Sequence, residues 1–337
     1  MRSRPSEVIL QCGALSYEWI DGWGPAADTT AWPHRGIVTL ASGDLAMCEA
    51  GARQMQIIAP DGTLRRTVAM PVAEAHGMTY DRSGGPRGTE RLWLADAANQ
   101  LRPDAGYAFP TTSDTSTVVA VSIDGRELQR LGRPDHPAYR GGDYRPTAVA
   151  IVPGSGDIWV ADGYGQSLVH RFAADGSLLG TLDGTEGAGR FKTCHFVYAD
   201  MRHGEPELYV CDRTNARIQV YGADGRYRRL IDTGSLAAPT WIAADEDRLV
   251  LVEFKPPQLT VLDRDDRVIG HLGLDIDAPS RPGWPNDKDA AGRPVRSNAL
   301  APGRFNSPHA ATVGQDGSLY VTEWLIGGRT TKLRRLA

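Results

Sequence analysis

The chain has no long apolar run. Nothing in it approaches the roughly 18 consecutive hydrophobic residues that a membrane-spanning helix needs, so no membrane partner is expected. It has no excess of basic charge either. Lys and Arg number 37 against 41 Asp and Glu, a formal net charge of -4, so the electrostatic footprint of a nucleic-acid binder is missing. Cysteine is scarce: the four residues Cys12, Cys48, Cys194 and Cys211 form no CxxC or other metal spacing and read as core thiols of a reducing compartment. The first residues, MRSRPSEVILQCGALSYEWIDGW, make a poor secretory leader because Gln, Ser, Tyr and Glu interrupt the apolar stretch. These absences lead to the expectation of a cytoplasmic monomer acting on a small-molecule substrate.

Turn formers are plentiful instead, with 38 Gly and 22 Pro among 337 residues, as a chain of many short strands requires. Six segments share one layout: a small or polar opener, an apolar strand, a turn with Gly or Asp, and a second apolar strand ending in an acid. They begin at Arg35, His76, Thr147, His195, Thr240 and His309, and their closing acids are Glu49, Asp96, Asp162, Asp212, Glu253 and Glu323. A third strand and an Asp-Gly turn follow several of them, as in SLVHRFAADG and ARIQVYGADG, and then a fourth strand. Four short strands per unit joined by such turns describe one blade of a β-propeller. The prediction is an all-β, single-domain, six-bladed propeller over residues 1–337. EVILQCGAL near the N-terminus would close the ring against the C-terminal strands and remove open sheet edges. Residues 278–304 carry no strand pattern and are expected to form a loop over one mouth of the ring. Six acids at one repeat position read as scaffold, accepting backbone N–H groups or holding an Arg of the same blade.

In a propeller the first strand of each blade lines the central channel. Histidine opens the second, fourth and sixth units, at His76, His195 and His309, while the chain has only 8 histidines. The stretches GRFKTCH and GRFNSPH even place the last two identically, four residues after a Phe. Alternate blades of six stand about 120° apart around the axis, so three imidazoles would converge on one point. That is the ligand set of a three-histidine Zn2+ site with an open position. A single histidine at a channel mouth is ordinary polar lining; three in the same slot on every second blade are not. His34, His136, His170, His203 and His271 fall outside the slot and read as surface or structural. Cys194 adjoins His195, but neighbours on a strand face opposite ways, which argues against a Cys–His nucleophile.

The units resemble NHL-type repeats, and three segments resemble more specifically the lyase domain of the peptide-amidating enzyme, peptidyl-hydroxyglycine amidating lyase. These are SPHAATVGQDGSLYVTE, KTCHFVYAD, and RPTAVAIVPGSGDIWVADGYGQSLVHRFAADG, the last joined by VCDRTNARIQVY. The resemblance covers most of the chain from Arg35 onward. It implies a six-bladed propeller with a catalytic zinc on three histidines, a base at Tyr164 and an active-site arginine at Arg213. A second arginine of that family has Glu49-Ala50 at its place here, and Arg35 is the substitute expected to supply a guanidinium. Ser307 replaces an active-site methionine and Ala310 a calcium-linked aspartate, so calcium is not carried over. The family's disulfide positions also lack a matching cysteine pair.

Zinc on His76, His195 and His309 with Tyr164, Arg213 and Arg35 as catalytic groups suits elimination or addition at a C–N or C–O bond next to a carbonyl, on an anionic metabolite. Two other classes fit the propeller: a metal-free NHL-type binding scaffold, and a metal-dependent ester or lactone hydrolase. Lactonase propellers favour hard oxygen ligands, however, and this slot is nitrogen-rich. The substrate-deciding residues are expected between Ala278 and Arg304 and in PTTSDTS from Pro110.

Overall fold

The computed structural model of the chain describes residues 7–25, 30–49, 52–82, 90–232, 234 and 236–336. Each expected unit forms its own antiparallel sheet. Blade 1 runs Ile37–Thr39, Leu45–Glu49, Gln54–Ile58, Leu64–Ala69, and blade 2 Gly77–Asp81, Arg91–Asp96, Thr117–Ser122, Glu127–Leu131. Blade 3 runs Ala148–Ile151, Ile158–Asp162, Leu168–Phe172, Leu178–Leu182, and blade 4 Cys194–Asp200, Glu207–Asp212, Arg217–Gly222, Tyr227–Ile231. Blade 5 runs Pro239–Asp245, Arg248–Phe254, Pro257–Leu262, Val268–Leu272, and blade 6 begins with Pro308–Val313, Leu319–Glu323 and Arg329–Arg335. The first strands of successive blades touch in turn, and that of blade 6 touches that of blade 1. The protein is a six-bladed β-propeller.

The ring closes between the two ends of the chain, with one correction to the expected strand. Leu15–Asp21 is the segment that pairs with Arg329–Arg335, in the register Tyr17↔Arg335 to Asp21↔Thr331. Ile9–Cys12, from the stretch expected to close the ring, pairs outside it as a fifth strand. Burial explains the choice. Leu15, Tyr17 and Trp19 alternate inward along LSYEWID, whereas Ile9–Cys12 is mostly open to solvent. Trp19 closes on Phe305 with ring centroids 4.8 Å apart, so only that register places its indole in the core. Apolar clusters fill the spaces between adjacent blades, for example Val38, Ala46, Met55 and Met78 between blades 1 and 2.

Five of the six closing acids behave as scaffold. Asp96 accepts the N–H of Ala73, Asp162 that of Arg145, Asp212 that of Lys192, Glu253 that of Ala237, and Glu323 those of Asn306 and Ser307. Each acid therefore pins the segment leading into the inner strand of its own blade, two to three residues before the opener. These are charge-assisted hydrogen bonds inside the core, and they fix where the opener stands.

Residues 278–304 contain a short 3-10 turn, Ala278–Ser280, and a small hairpin of Asp287–Lys288 with Pro294–Val295, where no strand was expected. Trp284 ties the segment down. Its indole donates to the Asn306 carbonyl at 2.8 Å and packs 4.8 Å from the Phe254 ring.

Candidate metal centre

Two of the three histidine openers are aimed by local backbone irregularity. His195, Thr240 and His309 are each the extra residue of a β-bulge, skipped in the pairing of Cys194–Phe196, Pro239–Trp241 and Pro308–Ala310 with the second strand. A bulge re-aims a side chain out of the pleat, here toward the axis. Upstream, Phe191 and Phe305 are buried and donate their N–H groups to the carbonyls of Asp183 and Gly273 at the end of the preceding blade. The shared GRF stretch is thus an inter-blade anchor set four residues ahead of each histidine.

A common device orients the rings. His76 Nδ1 bonds the Thr147 carbonyl at 2.8 Å, and His195 Nδ1 bonds the Thr240 carbonyl at 2.7 Å. In both cases the acceptor is the opener of the next blade. His309 faces the Arg35 carbonyl in the same way, though outside full hydrogen-bond geometry. A carbonyl can only accept, so Nδ1 of His76 and His195 carries the ring proton and Nε2 keeps its lone pair. His76 Nε2 and His309 Nε2 stand 3.1 Å apart. The three ring centroids are 4.6 to 5.4 Å apart, so the structure does bring His76, His195 and His309 together.

It also brings a fourth, and here the sequence reading is corrected. His34 is neither surface nor remote scaffold: it is 1% exposed and its centroid lies 5.0 Å from His76 and 5.2 Å from His309. The triple whose ligand nitrogens all fall within 4.8 Å of one another is His34, His76 and His309. His195 turns its Nε2 to the Tyr164 hydroxyl at 3.0 Å. His34 is held by Glu74 at 3.3 Å through Nδ1 and stacks on Trp324.

Burial governs the charge of this cluster. It pushes His34 down to about 3, with the Arg213 charge adding to the effect, and holds His76, His195 and His309 well below the ordinary histidine range. Glu74 is pushed up to about 8 for the same reason. Four neutral imidazoles, with the Nε2 lone pairs of His76 and His195 free of the ring proton, are a donor set that fits a borderline cation such as zinc. The second group of possible ligands, Asp200, His203 and Glu207, is already engaged by Arg202 and Arg229.

The cluster opens into a cavity of about 360 Å³ with apolar walls from Phe109, Pro110, Phe254 and Trp324. Tyr164, Arg213, Arg145 and Asn99 add polar groups. Arg213 Nη1 donates to the Tyr164 hydroxyl at 3.4 Å, and its guanidinium lies 5.4 Å from that ring. Arg145 is spent on Asp143 and the carbonyls of Ala97, Ala98 and Pro110. Asn99 Nδ2 is buried with no partner. Pro110, the first residue of PTTSDTS, lines this cavity beside Phe109, whereas the 278–304 segment reaches it only indirectly, through Trp284 on Phe254.

Arg35 does not join the cavity. Its side chain packs away from the histidines, against Gly328, so the expected second active-site guanidinium is absent from this mouth; only the Arg35 carbonyl faces the cluster. Cys194 points its thiol at the Leu168 carbonyl and burial raises it far above the ordinary thiol range, which removes it as a nucleophile.

No family model matches the chain. One stretch of 157 residues is 29% identical to peptidyl-glycine alpha-amidating monooxygenase B of Xenopus laevis, covering 44% of this chain. Form A of the same enzyme matches at 29% over 160 residues. This chain is similar to an amidating enzyme. The similarity spans about 15% of that enzyme's length. Among solved structures, a streptogramin B lyase aligns with 97% of this chain and 100% of its own at a TM-score of 0.58 and 16% identity. A gluconolactonase from Xanthomonas campestris aligns with 100% of both chains at 0.56 and 14%. At such identities they establish the propeller fold. These distant relatives and fold neighbours are enzymes. Among the described residues, no helix is long and apolar enough to cross a membrane.

Proposed function

We propose that the protein is a zinc-dependent lyase acting on a small anionic metabolite, with the metal held by His76, His195 and His309 and His34 standing beside them. The observation that carries this reading is the convergence of neutral, buried imidazoles at one mouth, next to Arg213, which has no carboxylate within 4.0 Å among the described residues. His195 is preferred to His34 as third ligand because its Nδ1 donates to a backbone carbonyl as that of His76 does, a bond that fixes the orientation of a metal-bound ring. A zinc ion bound there would polarise an oxygen of the substrate as a Lewis acid.

The protein's own groups supply the rest. Arg213 would take the anionic end of the substrate in a charge-assisted hydrogen bond. Phe109, Phe254 and Trp324 would enclose its body and exclude water. The Tyr164 hydroxyl donates to His195 Nε2 in the metal-free arrangement, since that nitrogen can only accept. Were that lone pair given to a metal, Tyr164 would face the cavity and Arg213, where as the phenolate it could take the proton moved when a C–N or C–O bond next to a carbonyl breaks, and as the phenol return it. The free thiols of all four cysteines accord with a reducing compartment.

Metal analysis of the purified protein tests the reading. Stoichiometric zinc is expected, lost in His76→Ala, His195→Ala and His309→Ala and retained in His34→Ala. Loss in His34→Ala with retention in His195→Ala would shift the ligand set to the tighter triple, and metal-free wild-type protein would end the proposal. Tyr164→Phe should keep its zinc and lose about 10²–10⁴-fold in turnover on the best substrate of an α-hydroxyamide and hydroxy-acid panel.

A further inference from the structure

A second cavity, of about 240 Å³, lies at the seam where blade 6 meets blade 1, and it shares no lining residue with the histidine cavity. Three arginines line it: Arg35, Arg296 and Arg329. Arg329 is fully engaged, by Asp21 at 2.7 Å, Glu323 at 3.2 Å and the carbonyls of Arg304 and Ala301. Arg296 gives Nη1 to the carbonyls of Ile326 and Gly328, which are neutral acceptors, and no carboxylate lies within 4.0 Å of it among the described residues.

Arg35 is the anomaly. It is 5% exposed, yet among the described residues its Nε has no hydrogen-bond partner and no carboxylate stands within 4.0 Å. Glu49 and Glu74 act on it only from farther away. An arginine in that position keeps its charge only at a free-energy cost unless something completes it. The bed beneath it is shaped for the purpose. A Cβ on Gly328 would fall 3.0 Å from Arg35 Nη1, 3.1 Å from Cζ and 3.5 Å from Nε, so the plane of the guanidinium rests on the glycine. Gly328 also sits at φ +60°, where a side chain is disfavoured.

We propose that this seam cavity binds a small oxyanion, a phosphate or carboxylate group held between Arg35 and Arg296. A guanidinium offers its donors as a planar fork that matches two oxygens of such a group, and Arg35 has donors to give. Asp21 at the rim does not oppose the anion because its carboxylate is already bound by Arg329 Nε. Arg35 follows His34 in the chain and its carbonyl faces His309, so an anion here would stiffen the backbone behind the histidine cluster.

The test uses thermal unfolding of metal-stripped protein at constant ionic strength in chloride, with inorganic phosphate added in one arm and acetate in the other. Stripping the metal makes the outcome independent of the zinc reading. Wild type should gain roughly 3 °C in Tm, saturably, in at least one arm, and the effective arm identifies the class of anion. The gain should vanish in Arg35→Met and shrink in Arg296→Met. Without added anion, Arg35→Met should melt no lower than wild type, because the substitution removes an uncompensated charge while keeping most of its volume. If neither anion acts saturably on wild type, or if both variants gain as much as wild type does, the site does not exist. Arg296 is exposed, so Arg296→Met decides the matter should Arg35→Met fold poorly.

Discussion

His170 was set aside in the sequence as structural, and the structure gives that role physical content. It is fully buried in blade 3, with Nε2 2.6 Å from the Tyr139 hydroxyl and Nδ1 2.9 Å from that of Thr181. Burial, and then the nearby His136, push it down to about 3. A group whose folded-state value is depressed gives its full stability above its unfolded value, near 6.5, and loses it as pH falls from there toward 3. The advantage of wild type over His170→Gln should therefore shrink by about 1.4 kcal/mol for each pH unit below 6.5, read from urea unfolding between pH 7 and 4.5. A gap that stays constant across that range would contradict the assignment. His34 carries a different lesson at the same scale. Standing one residue before the blade 1 opener, it fell outside the slot that the strand pattern defines. Yet residues 30–36 are not in a strand, so the period-2 rule has no hold there, and Glu74 and Trp324, remote in sequence, decide where the ring goes.

The inner strands are the elements that make the centre, and they do so by contact across blades. Gly77 opens the first strand of blade 2, and a Cβ there would stand 2.4 Å from the Thr147 carbonyl oxygen. That oxygen is the one that anchors His76 Nδ1. Gly77→Ala must then push blades 2 and 3 apart or displace the anchor. It should cost about 1–3 kcal/mol in stability and weaken metal affinity about 10–100-fold, measured by chemical unfolding and by chelator competition. Unchanged metal affinity would show that the carbonyl anchor is not what positions the ring. The period-2 pattern located these strands well. It did not reveal the bulges at His195 and His309, because an extra residue in a strand leaves no mark in hydrophobic alternation.

The whole molecule depends on one closure made by residues from opposite ends of the chain. Trp19 of the closing strand is 6% exposed, packs on Phe305 and lies 5.1 Å beneath the Arg329 guanidinium. Trp19→Ala should cost about 3–5 kcal/mol and leave Arg329–Arg335 prone to act as an open sheet edge. Calorimetry should show a lower and broader transition, with self-association visible in sedimentation. A transition as sharp as wild type, merely shifted, would place the weak point elsewhere in the ring.

The sequence by itself determined the repeat: six units, their closing acids, and histidine on every second opener. Strand alternation and turn chemistry are local, and six copies of a local signal reinforce one another. The family resemblance singled out Tyr164 and Arg213, and both line the histidine cavity. Only the tertiary structure admitted His34 to the cluster, moved Arg35 to the seam and chose Leu15–Asp21 over its neighbour as the closing strand. Those positions lie in irregular segments or at the junction of the two chain ends. What fixes them is packing between residues far apart in sequence, and no pattern along the chain encodes it.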